Sequence, residues 1–264
     1  MIEILPITVT GAAEAYCSTR DGGVSKGTTA HMNLNIYKNL DIPNGRINLK
    51  LFSNAIGTDT DRLITNRLIY GTDIVRRVTS ADIIDIFDEP LAPHADGLVT
   101  DDPTVTLYMY AADCAVIQFV DPVRRVIGCC HAGWKGTMSG IIENTVLTMH
   151  QYYGCDYEDI VGVILPSIGK CCFEVGEDVA RQFDHAGYSL FVDRSGEKPH
   201  VDLFAANAEN LLRAGLMPRN IHSIDLCTCC HNELFHSYRK GPIDNGIHMN
   251  GMNGMFIRLT ANQP

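Results

Sequence analysis

Apolar and polar positions alternate most clearly in the middle of the chain. Thr104–Tyr110 and Ala115–Val120 are rich in strand-forming residues. Asp121-Pro122 opens a turn through Val123-Arg124-Arg125, and Val126–Cys130 reads as a second short strand that this turn would pair antiparallel with the one before it. His131-Ala132-Gly133-Trp134-Lys135-Gly136-Thr137 is a polar loop bearing glycines. After it Met138, Ile141, Ile142, Thr145, Val146 and Met149 recur at helical spacing, predicting an amphipathic helix of about four turns that stops near Gly154. Ile160–Leu165 has the pattern of a buried strand, Gly176–Phe183 and Ala205–Ala214 read as helices, and Ile221–Leu226 as a strand. Nearer the start, Ile2–Val9 predicts a strand, and Tyr16–Arg20 runs into the turn Asp21-Gly22-Gly23. Residues 46–57 are loosely helical, and 62–88 hold one or two strands. Strands interleaved with helices predict a mixed α/β or α+β layered fold. With no low-complexity tract, charge block or linker, residues 1–264 read as one unit.

Composition narrows the classes. A chain of 264 residues, 45% hydrophobic and 20% charged, is ordinary globular protein and needs neither disulfide nor metal to hold a core. Its net charge of −10 argues against a nucleic-acid groove or an anionic membrane as partner. The longest apolar stretches fall short of the ~18 residues a membrane helix needs. No Lys or Arg precedes Arg20, so the charged start of a secretory signal is missing, and a cytoplasmic location is expected. In that reducing compartment the ten cysteines read first as small buried residues and second as metal or catalytic thiols.

Candidate chemistry gathers around His131. Cys114 and His131 both stand at strand ends, and thiol and imidazole suit a borderline-soft metal; taken alone, each also reads as a satisfied interior residue. Gly133 and Gly136 would let backbone amides approach a ligand, with Thr137 or Ser139 capping the helix, an arrangement that binds anions. A simple turn is the competing reading. His94-Ala95-Asp96-Gly97 resembles a ligand pair but reads more simply as an Asp-Gly turn. Arg239, in His236-Ser237-Tyr238-Arg239, could grip phosphate or carboxylate, or form a surface ion pair. Cys227-Thr228-Cys229-Cys230-His231 looks like a metal knuckle; a structural zinc needs a second pair, which Cys171-Cys172 would supply only if the fold happened to bring it there. There is no P-loop, GxGxxG after a strand, GxSxG or HExxH.

Several blocks together resemble the bacterial YfiH family, also called laccase-domain or polyphenol oxidase proteins. They are Ser18-Thr19-Arg20-Asp21-Gly22-Gly23-Val24-Ser25, Asn33-Leu34, Asp96–Thr100, Ala112-Asp113-Cys114, His131–Thr137, Pro166–Gly169 with Cys171–Val175, Cys227-Thr228 and Ser237-Tyr238-Arg239. The resemblance runs from about residue 16 to 259 and implies a four-layer α/β/β/α sandwich with mixed sheets. It further implies a zinc site at Cys114, His131 and position 70, where Tyr70 stands in Leu68-Ile69-Tyr70-Gly71-Thr72 in place of a ligand histidine. The implied chemistry is phosphorolysis of adenosine, inosine or methylthioadenosine, with deamination of adenosine in the same pocket. Charge complementarity, and the place of the two arginines in the matching blocks, would have phosphate held by the 133–137 loop, Arg20 and Arg239.

Three other readings compete. A thiolate–imidazolium pair at Cys114 and His131 would make a metal-free hydrolase, deamidase-like or peptidoglycan-editing. Copper-dependent oxidation of phenols follows the older family name. A binding protein with a decayed site follows from Tyr70.

Overall fold

The computed structural model describes residues 2–37, 41–87 and 92–261. In chain order its strands are β1 (Ile4–Thr10), β2 (Ala13–Ser18), β3 (Leu63–Ile64), β4 (Val75–Arg77), β5 (Gly97–Thr100), β6 (Thr106–Ala111), β7 (Ala115–Asp121), β8 (Val126–Ala132), β9 (Val161–Ile164), β10 (Val192–Asp193), β11 (His200–Val201), β12 (Ile221–Ser223), β13 (Ile243–Asp244), β14 (Ile247–His248) and β15 (Asn253–Leu259). The helices are α1 (Ile42–Ala55), α2 (Trp134–Ser139), α3 (Ile141–Tyr153), α4 (Glu177–His185) and α5 (Leu203–Arg213).

Two mixed sheets result. The first is ordered β1-β2-β15-β6-β3 and the second β12-β9-β7-β8-β5-β4, with β10-β11 and β13-β14 as separate hairpins. Alternation along β6 and β7 explains the layering. Leu107, Met109 and Ala111 point between the sheets, where they meet Val116 and Val120 of β7 and Ile127 and Cys129 of β8. Tyr108 and Tyr110, on the other face of β6, pack with Leu49 and Phe52 of α1. Ala115, Ile117 and Phe119 of β7 pack instead against Ile142 and Val146 of α3 and Leu211 of α5. The order of layers is therefore α1, first sheet, second sheet, and α3 with α5: the expected four-layer sandwich. Because both faces of these strands are covered, their sequence is nearly unbroken in apolar residues. Phe256 of β15 stacks between Phe52 (ring centroids 5.0 Å apart) and Tyr108 (4.7 Å), fastening α1 to its sheet.

Several expectations shift. The helix predicted through Met138–Met149 is two helices, because Gly140 takes φ 82° and breaks it between α2 and α3. Gly133 is the N-cap of α2, so Thr137 and Ser139, expected as caps, lie inside it. Helix α1 starts at Ile42, ahead of the residues whose spacing suggested it, with a proline in its first turn. Ile221–Leu226 shortens to β12, and 62–88 holds β3 and β4, residue 88 lying outside the described residues. The pattern of residues 253–259 carries no strand expectation, yet β15 is the middle strand of the first sheet. Among the described residues no helix is long and apolar enough to cross a membrane.

His236 is buried in this fold with Nε2 3.2 Å from the Met32 carbonyl. Burial, with Arg20 nearby, lowers its pKa to about 3. The folded ring stays neutral while the unfolded chain takes up a proton near pH 6.5. This contribution to stability is therefore complete above pH 6.5 and is lost as pH falls below it, because the unfolded state binds the extra proton. Urea midpoints should fall between pH 7.5 and 5, and His236→Gln should flatten that slope. An unchanged slope in the variant would refute the assignment.

Candidate active site

The register of the β7–β8 hairpin brings Cys114 and His131 together. Ala115 pairs with Ala132 and Val116 with His131, so the residue before β7 lies at the same end as the last residues of β8. The Asp121 carboxylate closes the far end of the hairpin, accepting the amides of Val123 and Arg124 at 2.8 Å each. A Cβ built on Gly133 would stand 3.0 Å from Cys114 Sγ and 3.3 Å from His131 Nε2. Glycine at that position thus leaves thiol and imidazole facing one point. Both line a cavity of about 450 Å³ at the seam between the sheets, with Tyr110 and Ala111 from β6 on one side and Tyr70, Trp134, Phe173 and Tyr238 around it.

Two carboxylates hold the loops that shape this cavity. Asp113 has φ 80°, a left-handed conformation that Asp tolerates better than most residues. Its Oδ1 accepts the Thr228 hydroxyl at 2.6 Å, and its Oδ2 accepts the Ser237 hydroxyl at 3.0 Å and the Arg239 amide at 2.6 Å. Its carbonyl accepts the Ile168 amide at 2.8 Å. One residue therefore ties the Cys114 turn to three other segments. Asp96 does the same on the other side. Its Oδ1 accepts the amides of Ile69 (2.9 Å) and Tyr70 (3.1 Å), and its Oδ2 those of Gly71 and Thr72 (2.9 Å each). Such a nest of converging amides needs left-handed backbone, and Tyr70 (φ 65°) and Gly71 (φ 111°) supply it. The Asp96 carbonyl also accepts the His131 amide at 2.7 Å. Wrapped this way, the loop sets the Tyr70 ring edge-on to His131, centroids 5.5 Å apart.

The electrostatics leave the central pair uncharged. Burial pushes the Cys114 thiol up to about 12, and the Asp113 charge adds to this. Burial lowers the His131 pKa against the pull of Asp96. Burial also works against ionising Asp96, but the amides of Thr72, Gly71 and Tyr70, with His131, outweigh it and hold the carboxyl below the usual range. A neutral thiol beside a neutral imidazole is not the ion pair a cysteine hydrolase uses. It is a donor set that a soft cation accepts, and His131 Nδ1 is buried with no hydrogen-bond partner among the described residues. Among those residues no third His, Cys, Asp or Glu donor joins the two. Tyr70 is the side chain beside them, so the set is one ligand short of the usual catalytic zinc pattern.

The remaining candidates divide. Arg239 lines the cavity, and its Nη1 and Nη2 donate to the carbonyls of Cys172 (2.7 Å) and Glu174 (2.8 Å). Arg20 does not belong here: its guanidinium is spent on the carbonyls of Ala30 and Asn232, away from the cavity lining. Gly136 packs against the His131 carbonyl, 2.6 Å from where its Cβ would be. The Thr137 amide goes to the Gly133 carbonyl at 2.8 Å, and its hydroxyl lies 3.0 Å from Asn207 Oδ1. Both residues therefore support the helix rather than an anion. Asp96, which reads in the sequence as an Asp-Gly turn, is instead the guest of the amide nest. Nothing in the local sequence announces that, because its partners lie 24 to 27 residues away.

Residues 14–258 match the family described as multi-copper polyphenol oxidoreductase laccase, and the chain belongs to that family. Among its relatives is the mouse protein named purine nucleoside phosphorylase LACC1, 31% identical over 88% of this chain. The chain spans about half the length of that relative, 53% of it. A Bacteroides thetaiotaomicron protein named purine nucleoside phosphorylase is 30% identical over 90% of both chains. A prokaryotic protein named adenosine deaminase RL5 is 30% identical over 90% of this chain and 93% of its own length. The crystal structure of YlmD from Geobacillus stearothermophilus superposes with a TM-score of 0.87 at 29% identity, covering 96% of this chain and 93% of that one.

Two measurements probe the site. Tyr70→His should raise zinc affinity substantially, because neutral imidazole binds zinc without the deprotonation a phenol of pKa ~10 requires. A zinc titration giving equal affinity in variant and parent would place residue 70 outside the ligand shell. Asp113→Ala leaves two hydroxyls and an amide without their acceptor and should cost roughly 2–4 kcal/mol of stability by urea unfolding. A loss below 1 kcal/mol would show that the loops hold together without it.

Proposed function

We propose that the chain is a purine nucleoside phosphorylase, acting on adenosine, inosine and methylthioadenosine and also deaminating adenosine, with phosphate as second substrate. The observation that carries this reading is the convergence of Cys114 Sγ and His131 Nε2 beside Gly133, at the floor of an aromatic-walled cavity of ligand size. A purine offers two flat faces, and Tyr70, Trp134, Phe173 and Tyr238 offer rings to pack against them. Phosphorolysis pushes electron density onto the departing base. His131, neutral and at the floor, is suited to give an N–H hydrogen bond there. Arg239 uses two of its N–H groups on carbonyls and retains others for a phosphate oxygen.

The relatives' names support the same reading, since phosphorylase and deaminase both occur among them. Cys114, His131 and, more weakly, Tyr70 would hold a zinc ion, or copper in the alternative; a bound ion would supply Lewis acidity for activating water in deamination. The phosphorolysis role given to Arg239 does not depend on it, whereas His131 donates to the base only when its Nε2 holds no ion. The hydrolase reading is disfavoured by the protonated thiol, and oxidation of phenols by a lining that holds one histidine among the described residues.

The test is metal analysis of purified protein together with release of adenine from adenosine, with and without phosphate. Base release should require phosphate. Cys114→Ser and His131→Ala should each lower kcat/KM about 100-fold or more, while Arg239→Ala should chiefly raise KM for phosphate. Phosphate-independent base release, or no purine chemistry alongside thiol-dependent amide hydrolysis, would overturn the proposal.

A further inference from the structure

Outside the cavity, the two cysteine-rich turns meet. Cys171-Cys172 follows the Ser167–Gly169 segment, and Cys227-Thr228-Cys229-Cys230 follows β12 with its outer cysteines in C-x-x-C spacing. A parallel bridge between Ser167 and Cys227, and a 3.0 Å bond from the Thr228 amide to the Ser167 carbonyl, bring the turns side by side. The Sγ atoms of Cys171, Cys172, Cys227 and Cys230 then lie within 4.8 Å of one another. Cys230 Sγ is 3.4 Å from both Cys171 Sγ and Cys172 Sγ.

We infer that these four cysteines form a second metal site, a mononuclear tetrahedral Cys₄ zinc centre of structural type, separate from the cavity. The distances carry the argument. A tetrahedron with metal–sulfur bonds of about 2.3 Å has sulfur–sulfur edges of about 3.8 Å, between the 3.4 Å contacts and the 4.8 Å limit observed here. A disulfide would bring two sulfurs to about 2.05 Å, and a cluster of several irons would spread its thiolates further apart. Two turns giving two cysteines each make up many structural zinc sites; Cys227 and Cys230 have the C-x-x-C spacing usual there, and the adjacent Cys171 and Cys172 complete the set. The Gly169 amide donates to Cys227 Sγ at 3.2 Å, the kind of N–H contact that steadies a metal-bound sulfur. Cys227 is buried while Cys171 and Cys230 are exposed, so the ion can enter from solvent. Cys229 is not one of the four; it packs against the apolar core behind the second sheet. Zinc displaces the thiol protons to the buffer, and no oxidant or reductant takes part.

The placement says what such a centre does. The Cys172 carbonyl receives Arg239 Nη1, Phe173 is a wall of the cavity, and Thr228 gives its hydroxyl to Asp113. Joining the two turns fixes that wall from outside without touching the ligand.

The test separates the two sites by working on a Cys114→Ser/His131→Ala background, which lacks the cavity donors whatever their role. Purified under reducing conditions, this variant of the 264-residue chain should keep about one zinc per molecule. Cobalt(II) reconstitution should give the intense thiolate charge-transfer and tetrahedral ligand-field bands of a four-sulfur site. Adding Cys171→Ser/Cys230→Ser should abolish both readouts, while adding Cys229→Ser should preserve them. Should the serine pair fail to fold, the unsubstituted protein still decides: a chelator should make Cys171, Cys172, Cys227 and Cys230 newly alkylatable and lower Tm by several degrees. The inference is overturned by a chain that holds no metal with its four thiols reduced, by a disulfide among them in place of metal, or by metal retained after Cys171→Ser/Cys230→Ser.

Discussion

The carboxylate of Asp113 is the constraint on which the cavity most depends. It sits in a left-handed turn between the two sheets and accepts from Thr228, Ser237 and Arg239, while its carbonyl takes Ile168. A buried carboxylate is costly unless its lone pairs are filled. Here filling them recruits two distant segments to the Cys114 turn, and the backbone carbonyl adds a third. Asp96 repeats the device with four backbone amides and the Thr72 hydroxyl and so fixes the loop that carries Tyr70. The chemistry-bearing side chains are thus held by loops, and the loops by two acids that need not touch a substrate.

That arrangement explains why the thiol and imidazole can both be neutral. The negative charges nearest to them are already occupied by hydrogen-bond donors, and burial acts on each side chain in the direction that removes its charge. A neutral pair asks for a ligand that brings its own polarity: a metal ion, or a substrate on which charge develops during reaction. The aromatic walls suit the second and do not hinder the first.

How much of this was legible in the sequence follows from how local each signal is. The β7–β8 hairpin could be read because a short turn and two apolar runs define it, whereas a shared site for Cys114 and His131 was an expectation of the family resemblance. The break at Gly140 was hidden because apolar spacing continues across it, although Met138 of α2 packs with Phe183 and Tyr188 while the α3 stripe packs on the second sheet. Arg20 stood in a motif block and carried a charge, but its role is to bind carbonyls of Ala30 and Asn232, the latter 212 residues away. Asp96 and the meeting of the cysteine turns were out of reach for the same reason, since each depends on contacts that only the assembled sandwich creates. The family blocks marked these positions without saying why they mattered; hydrogen bonds to Asp113 now account for Thr228, Ser237 and the backbone at Arg239.

The position of β15 has a consequence for biosynthesis. The second sheet draws its strands from residues 75 to 223, and it is available for pairing well before the first can be completed. In the first sheet the strand between β2 and β6 is Asn253–Leu259, so β2, paired with β1 on one edge, finds its other neighbour only some 235 residues further along the chain. Until then β2 and β6 have open edges, and the inter-sheet faces of Met109 and Val116 lack their lid. The first sheet thus rests on a pairing between the two ends of the chain, a contact of very large sequence separation whose loop-closure entropy must be met before the seam that forms the cavity is complete.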